Sequence, residues 1–404
     1  MSAPEGLLAR RPLRAMVAAI ATLTGTVLPA FLVGALGVQI RDDLGFSRSS
    51  LGVALAAFYL SCALGSLHAG ELADRIGPRR SLLLANVVGG ICLLAVATLG
   101  RSFQALLVIL MLGSLGLMIA GPATKVLVAH EVPRHKHGLA FGIQMSAIPF
   151  AALLGGFAVP AIGLTFGWRW AFVGAALLPV LGLLTLPPAS PKLTDAVGPG
   201  PGLGRIELRP LLILGAATVL GSAAATTMAS FFVVTGTDVG FSEGVAGLML
   251  SAVSALVIVL RIGFGGAADR FESAHPHTIA GLFLLSTVGY VCLASGTKVL
   301  FPAGGLVALG FGWAWTGLMI HAVVQHHPHA PGVASGVIVA GLNLGSVLGP
   351  LLFGVLADRL SSAFAFGAMG VWTLIAAGAS FVGTVRLRHR GSDREVAAIA
   401  VPPA

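Results

Sequence analysis

Between Met16 and Val385 the chain alternates long apolar runs with short polar breaks. A helix needs roughly 20 apolar residues to cross the hydrocarbon core of a bilayer. Twelve runs meet that length, at approximately 15–38, 49–70, 80–99, 104–128, 139–162, 170–188, 210–235, 244–264, 278–295, 301–324, 333–356 and 363–385. One segment interrupts them: Pro187 to Pro210 reads PPASPKLTDAVGPGPGLGRIELRP and leaves six runs on either side. The pattern predicts an N-terminal six-helix bundle over 1–188, a linker over 189–209, and a C-terminal six-helix bundle over 210–404 with a short tail. The GPGPGLG stretch in the linker is no phosphate cradle. Its prolines lack the N–H donors such a loop needs, and no Lys-Ser/Thr follows.

Composition makes the membrane unavoidable. Hydrophobic residues are 56% of the 404 and charged residues only 10%, whereas soluble domains run near 25% charged. The net charge of +9 bears on topology rather than on nucleic acid. With alternating sides, the segments that share a side with the N-terminus hold 16 of 24 basic residues, the opposite segments 6, and the spans themselves Lys125 and Arg261. Positive residues mark the cytoplasmic side, so both termini are expected there. The first run, about 23 residues long, exceeds a signal-peptide core and reads as a retained span. Cys62, Cys92 and Cys292 lie within runs and read as small buried hydrophobes.

The two halves repeat. Gly45-Phe46-Ser47, Gly52, Gly70 and Asp74-Arg75 recur as Gly240-Phe241-Ser242, Gly247, Gly265 and Asp269-Arg270, all offset by 195. Gly138, Ala140, Gly142 and Gly155 recur as Gly332, Ala334, Gly336 and Gly349, offset by 194. A duplicated six-span unit predicts two bundles related by an axis along the membrane normal, with a site between them.

The loop after the second run reads Gly70-Glu-Leu-Ala-Asp74-Arg75-Ile-Gly77-Pro-Arg79-Arg80. It resembles the cytoplasmic loop motif of the major facilitator superfamily. The second copy at Gly265 to Arg270, the partial echo Gly354-Val-Leu-Ala-Asp358-Arg359, and Gly167-Trp168-Arg169-Trp170 before the sixth run support that resemblance. It covers essentially the whole chain. It implies an all-α polytopic membrane protein with 12 transmembrane helices in two six-helix pseudo-symmetric bundles, moving solute by alternating access. Physically, Gly77 permits the turn, Asp74 can cap a helix or pair across the bundle seam, and Arg79 and Arg80 hold the loop at anionic headgroups. Gly70, Asp74, Arg75, Gly77, Arg79, Arg80, Gly265, Asp269 and Arg270 are therefore the expected gating residues.

Departures from the family pattern narrow the chemistry. The fourth run has no Arg and the fifth no Gly-Pro pair, both usual in drug/proton antiporters. None of the 15 acidic residues falls inside a run away from its edges. The membrane instead holds bases: Lys125 in the fourth run, Arg261 in the eighth and His321 in the tenth, each roughly 10–13 Å from its helix centre at 1.5 Å per residue. Snorkelling to headgroups is the bland alternative for each. The spacing from Arg261 to Asp269 resembles the monocarboxylate-porter branch, in which that Arg binds substrate carboxylate, although Val257 and Ala30 stand where the branch can carry acidic and Lys residues. Thr227, Trp313 and Asn343 complete the expected substrate-binding set, with Thr226, Ser230 and Trp315 at similar depth.

The expected function is secondary active transport of a small organic anion. The alternative within the superfamily is a proton-antiporting exporter of drugs or metabolites. No enzyme site, cofactor or metal is indicated: the loop histidines His130, His135, His137, His326, His327 and His329 lack regular ligand spacing. The expected partners are a small-molecule substrate and the lipid bilayer, with a coupled proton or counter-substrate open, no nucleic acid, and a monomeric chain. Reporter fusions at Gly198 and Gly45 test the topology. Cytoplasmic reporter activity is expected only at Gly198; periplasmic activity there would overturn the span assignment.

Overall fold

The computed structural model describes residues 5–133, 136–188, 208–268, 276–327 and 331–399, with side chains described for all of these except 5–11, 66–75, 264–268, 276, 331–332 and 388–399. Twelve helices in it are long and apolar enough to cross a membrane. Spans 1 to 6 are Pro12–Ala35, Arg48–Gly65, Pro78–Leu99, Phe103–Glu131, His137–Phe166 and Trp168–Thr185. Spans 7 to 12 are Leu208–Asp238, Glu243–Gly263, His277–Ala294, Phe301–His326, Val333–Arg359 and Ser362–Leu387. Among the described residues there are helices and turns and no strand. An even number of spans puts both termini at one end of the bundle, here called the termini end; the other is the far end.

Each span is apolar all round, and packing sorts its faces. On span 3, Leu82, Ala85, Asn86, Gly89, Cys92, Leu93 and Val96 are buried, while Leu84, Val87, Ile91 and Leu94 are exposed at helical spacing. Such an exposed apolar stripe is stable in lipid, where the helix satisfies its own backbone.

The repeat seen in the sequence is a packing symmetry. Span 2 lies against span 11 and span 5 against span 8, so each half contributes one early and one late helix to the seam. At the first contact a Cβ on Gly52 would collide with the Pro350 carbonyl; at the second, a Cβ on Gly247 would meet the Gly156 carbonyl at 2.5 Å. Gly52 and Gly247 are the pair offset by 195, and in both places the missing side chain brings two backbones together.

The far end is sealed across this seam by polar contacts. Arg48, at the start of span 2, binds Asp238 at 2.5 Å and the Ser362 hydroxyl at 3.1 Å, and Ser362 donates to Asp238 at 2.6 Å. The Asp358 carboxylate, at the end of span 11, accepts the Ser49 N–H at 2.6 Å. Helix N-termini carry unpaired N–H groups and partial positive charge. Span 2 thus has one first-turn donor capped by its own Ser47, whose Oγ takes the Ser50 N–H, and another capped by a carboxylate of the other bundle. Gln39 to Glu243 at 3.0 Å adds a further bridge. The repeat does not extend to this capping. Ser242 caps Val245 as Ser47 caps Ser50, but beside Gly244 the opposite bundle offers Leu164 and Pro160 in place of an acid.

The Arg48–Asp238 pair and the Asp358 cap each contribute about 1 kcal/mol to far-end closure. Removing both, as Arg48→Gln with Asp358→Asn, is expected to raise far-end opening by about thirtyfold. The measurement is the reaction rate of a single cysteine at Leu351 with a membrane-impermeant maleimide. An unchanged rate would show that apolar packing alone holds the far end shut.

Candidate functional site

Arg261 lies at the seam, one of the few charges the fold buries. Only 7% of the residue is exposed, so the snorkelling alternative does not describe it. Its guanidinium turns into the protein. Nη1 donates to the Met145 carbonyl of span 5 at 2.5 Å, across the seam. Nη2 donates to the Trp313 carbonyl and to Thr316 Oγ1 of span 10, each at 3.2 Å. The guanidinium carbon lies 5.6 Å from the Trp313 ring centroid, and that ring meets Phe31 of span 1 edge-on at 5.9 Å. Nε is buried without a partner.

The acceptors exist because two helices break. Helix runs from His137 to Met145, turns at Ser146, and resumes at Ala147. The Met145 carbonyl would ordinarily receive the N–H four residues on, but that residue is Pro149, which has none and whose ring crowds that carbonyl. On span 10, helix ends at Gly312 and restarts at Trp315; Trp313 sits in the break with its carbonyl shared by Arg261 and the Thr316 hydroxyl. Broken spans with freed carbonyls are where membrane transporters build polar sites. Neither break is marked by a charged residue, and the only sequence signal for them was Pro149 and the glycines around Trp313.

The other expected residues are placed unevenly. Lys125 on span 4 is exposed and, among the described residues, makes no hydrogen bond or ion pair. His321 on span 10 is half-buried with Nε2 unpartnered. One turn before each stands a glycine, Gly121 and Gly317, with open space where a Cβ would be. The near-equivalence of Lys125 and His321 in the repeat therefore extends to their surroundings. Trp313 joins Arg261 as expected. Thr227 is buried on span 7 facing Gly349 of span 11, inside its own bundle, with Oγ1 unpartnered. Asn343 on span 11 is half-buried and has no hydrogen-bond partner among the described residues. Thr226 and Ser222 bind Ser346 of span 11 at 3.1 and 3.2 Å, an arrangement that knits one bundle. In the other bundle Gln144, next to Met145, donates to Thr124, next to Lys125, at 2.8 Å and leaves Oε1 unpartnered.

Of the loop motif, Gly77 has φ of 80° and Arg79 Nε binds the Pro187 carbonyl at 3.2 Å, tying the loop to the end of span 6. Arg80 is exposed. The backbone of Gly70, Asp74 and Arg75 is helical, as is that of Gly265; their side-chain surroundings, and Asp269 and Arg270 altogether, lie outside the described residues. Among the described residues no group of three His, Cys, Asp or Glu could hold a metal ion.

Two six-span bundles with a polar seam between them form a membrane transport architecture. The sequence profile of the Major Facilitator Superfamily matches residues 14–341 and again 216–401, and the chain belongs to that superfamily. It is 30% identical over 344 residues to a chloramphenicol resistance protein of Streptomyces lividans, covering 80% of this chain and 83% of that one. It is 26% identical to a hexuronate transporter of Bacillus subtilis, covering 88% of this chain and 91% of that one. The fold superposes on the crystal structure of a D-xylose-proton symporter with a TM-score of 0.71 at 18% identity, covering 91% and 95% of the two chains. The protein is a transporter of small molecules in a lipid membrane.

Proposed function

We propose that this transporter carries a small organic anion, a carboxylate, by alternating access across the cytoplasmic membrane, working as a monomer with both termini in the cytoplasm. The observation that carries the reading is Arg261. It is buried at the seam, its described partners are two carbonyls and a hydroxyl, none of them charged, and its Nε is unsatisfied. A cation inside the membrane costs a few kcal/mol or more without a counter-charge. A transported anion supplies that charge reversibly, and a carboxylate matches the planar fork of the guanidinium. Lys125 and His321, with glycine-made space beside them, add donors on opposite bundles. Trp313 positions the guanidinium; Asn343 offers an unpaired amide; Thr227, which faces Gly349, is the weakest member of the expected set. The similarity to a hexuronate transporter fits a carboxylate.

Asp74 and Asp269, with the rest of the loop motif, are read as the gate at the termini end, making contacts that alternate with the far-end seal. A second reading is export of an uncharged drug, favoured by the similarity to a chloramphenicol resistance protein. In that case Arg261 is a tether and nothing more.

Proteoliposome uptake, with a thermal-shift screen of glucuronate, benzoate and chloramphenicol, separates these readings, because a ligand that binds the native state raises its stability. The expected result is carboxylate binding and uptake that Arg261→Gln abolishes and Arg261→Lys weakens by roughly one to two orders of magnitude. Lys125→Gln should have a smaller effect, and Asp74→Asn should slow uptake with binding retained. Wild-type carboxylate uptake by Arg261→Gln would refute the anion reading.

A further inference from the structure

We infer that Pro149 builds a competitor for the substrate into the site: the carbonyl it frees on Met145 occupies Arg261 when no anion is bound, and the anion must displace it. The inference rests on the anion reading and adds to it a specificity-determining residue that touches no substrate. The geometry is asymmetric in a telling way. Arg261 belongs to span 8, and its Nη2 bonds go to span 10 of the same bundle. The Nη1 bond alone goes to span 5 of the other bundle. An anion that takes Nη1 therefore breaks the bond that crosses the seam and leaves the anchoring of Nη2 on span 10 in place. Binding and release of the seam become one event.

Pro149 is what makes the carbonyl available. With an N–H at 149, the Met145 carbonyl would close the ordinary helical bond and offer less to a donor on another helix. With proline there, the carbonyl is an orphan at the bundle seam, and such groups within a membrane protein find partners inside the protein. A charged guanidinium is a strong donor to it. The carbonyl is uncharged, so it satisfies one donor without cancelling the cation. It is a weaker partner than a carboxylate, as a displaceable occupant has to be. Nothing in the described surroundings replaces it with an acid: the residues around the break, Gln144, Met145, Ser146, Ala147, Ile148 and Phe150, carry no charge.

The test is Pro149→Ala in purified full-length protein, with glucuronate as probe. Restoring the N–H retires the competitor, so glucuronate should bind on the order of tenfold more tightly. A gain in affinity is the useful sign, since a merely structural role for the proline predicts a loss or no change. In the double variant Pro149→Ala/Arg261→Gln the gain should vanish. A ligand-free reading accompanies it: spin labels at Phe150 on span 5 and Ile262 on span 8 should report a larger share of long distances in Pro149→Ala. Unchanged or weaker glucuronate binding in Pro149→Ala, with wild type binding and Arg261→Gln not, overturns the competitor and leaves the anion reading standing. No glucuronate binding by any variant, with the seam distances still shifted, makes Met145 a plain tether and overturns both.

Discussion

Inside a bilayer a carbonyl that loses its helix partner cannot turn to water. That constraint organises the middle of this molecule. Span 5 breaks in its first half, at Ser146, and span 10 midway, at Trp313-Ala314, and each break leaves a carbonyl to be satisfied. A single side chain from a third helix, Arg261, serves both. The cation is in turn tolerated because it gains these acceptors and the face of Trp313. Remove the breaks, and the guanidinium loses two of its three acceptors; remove the guanidinium, and the Met145 carbonyl is left short while that of Trp313 keeps the Thr316 hydroxyl. The interdependence explains how a charge sits at the seam with no carboxylate among its described partners.

The two ends of the seam are closed by different physics. At the far end the contacts are ionic and lie near the surface: Arg48 with Asp238, and Asp358 on the first turn of span 2. Each is worth little alone, and water can replace either partner. One turn in from that rim the contacts are close backbone approaches at Gly52 and Gly247, and toward the termini end they are the neutral bonds of Arg261. Weak links at the rim and a neutral link further in suit the proposed rocking of the two halves. The asymmetry matters too. Sequence repeats made the two seam contacts alike, yet of the two helices only span 2 has its N-terminus capped, among the described residues, by the opposite bundle. The far end is therefore capped through an acid on one side of the pseudo-axis and bridged on the other by Glu243, the repeat mate of Arg48, which accepts from Gln39.

Much of this was legible in the residues. Span number and the six-plus-six division follow from the length of apolar runs, because a bilayer has a fixed thickness. The pseudo-symmetry follows from the constant offset between Gly52 and Gly247 and their neighbours. Arg261 was visible as a charge where charges are expensive. Its orientation was not, since snorkelling and inward burial look identical in sequence. Pro149 could be read as a kink, but which donor its freed carbonyl meets depends on a helix 112 positions away. The far-end seal was hidden for the same reason. Arg48, Asp238 and Asp358 each read as an ordinary span-end charge, and Arg48 counted merely as an exception to the positive-inside pattern. Thr227 shows the same limit: its depth was visible in the residues, and that its helical face turns it to Gly349 was not.

The most direct measurement is the carbonyl carbon of Met145 itself. Protein labelled with 13C at methionine carbonyls and 15N at serine isolates the Met145–Ser146 peptide in solid-state NMR, the other Met-Ser pair being Met1–Ser2 at the terminus. Saturating glucuronate should move the Met145 signal upfield, the direction of a lost hydrogen bond, to the position it holds in Arg261→Gln without ligand. A signal that stays in place while glucuronate is demonstrably bound would contradict a guanidinium exchanged between backbone and substrate.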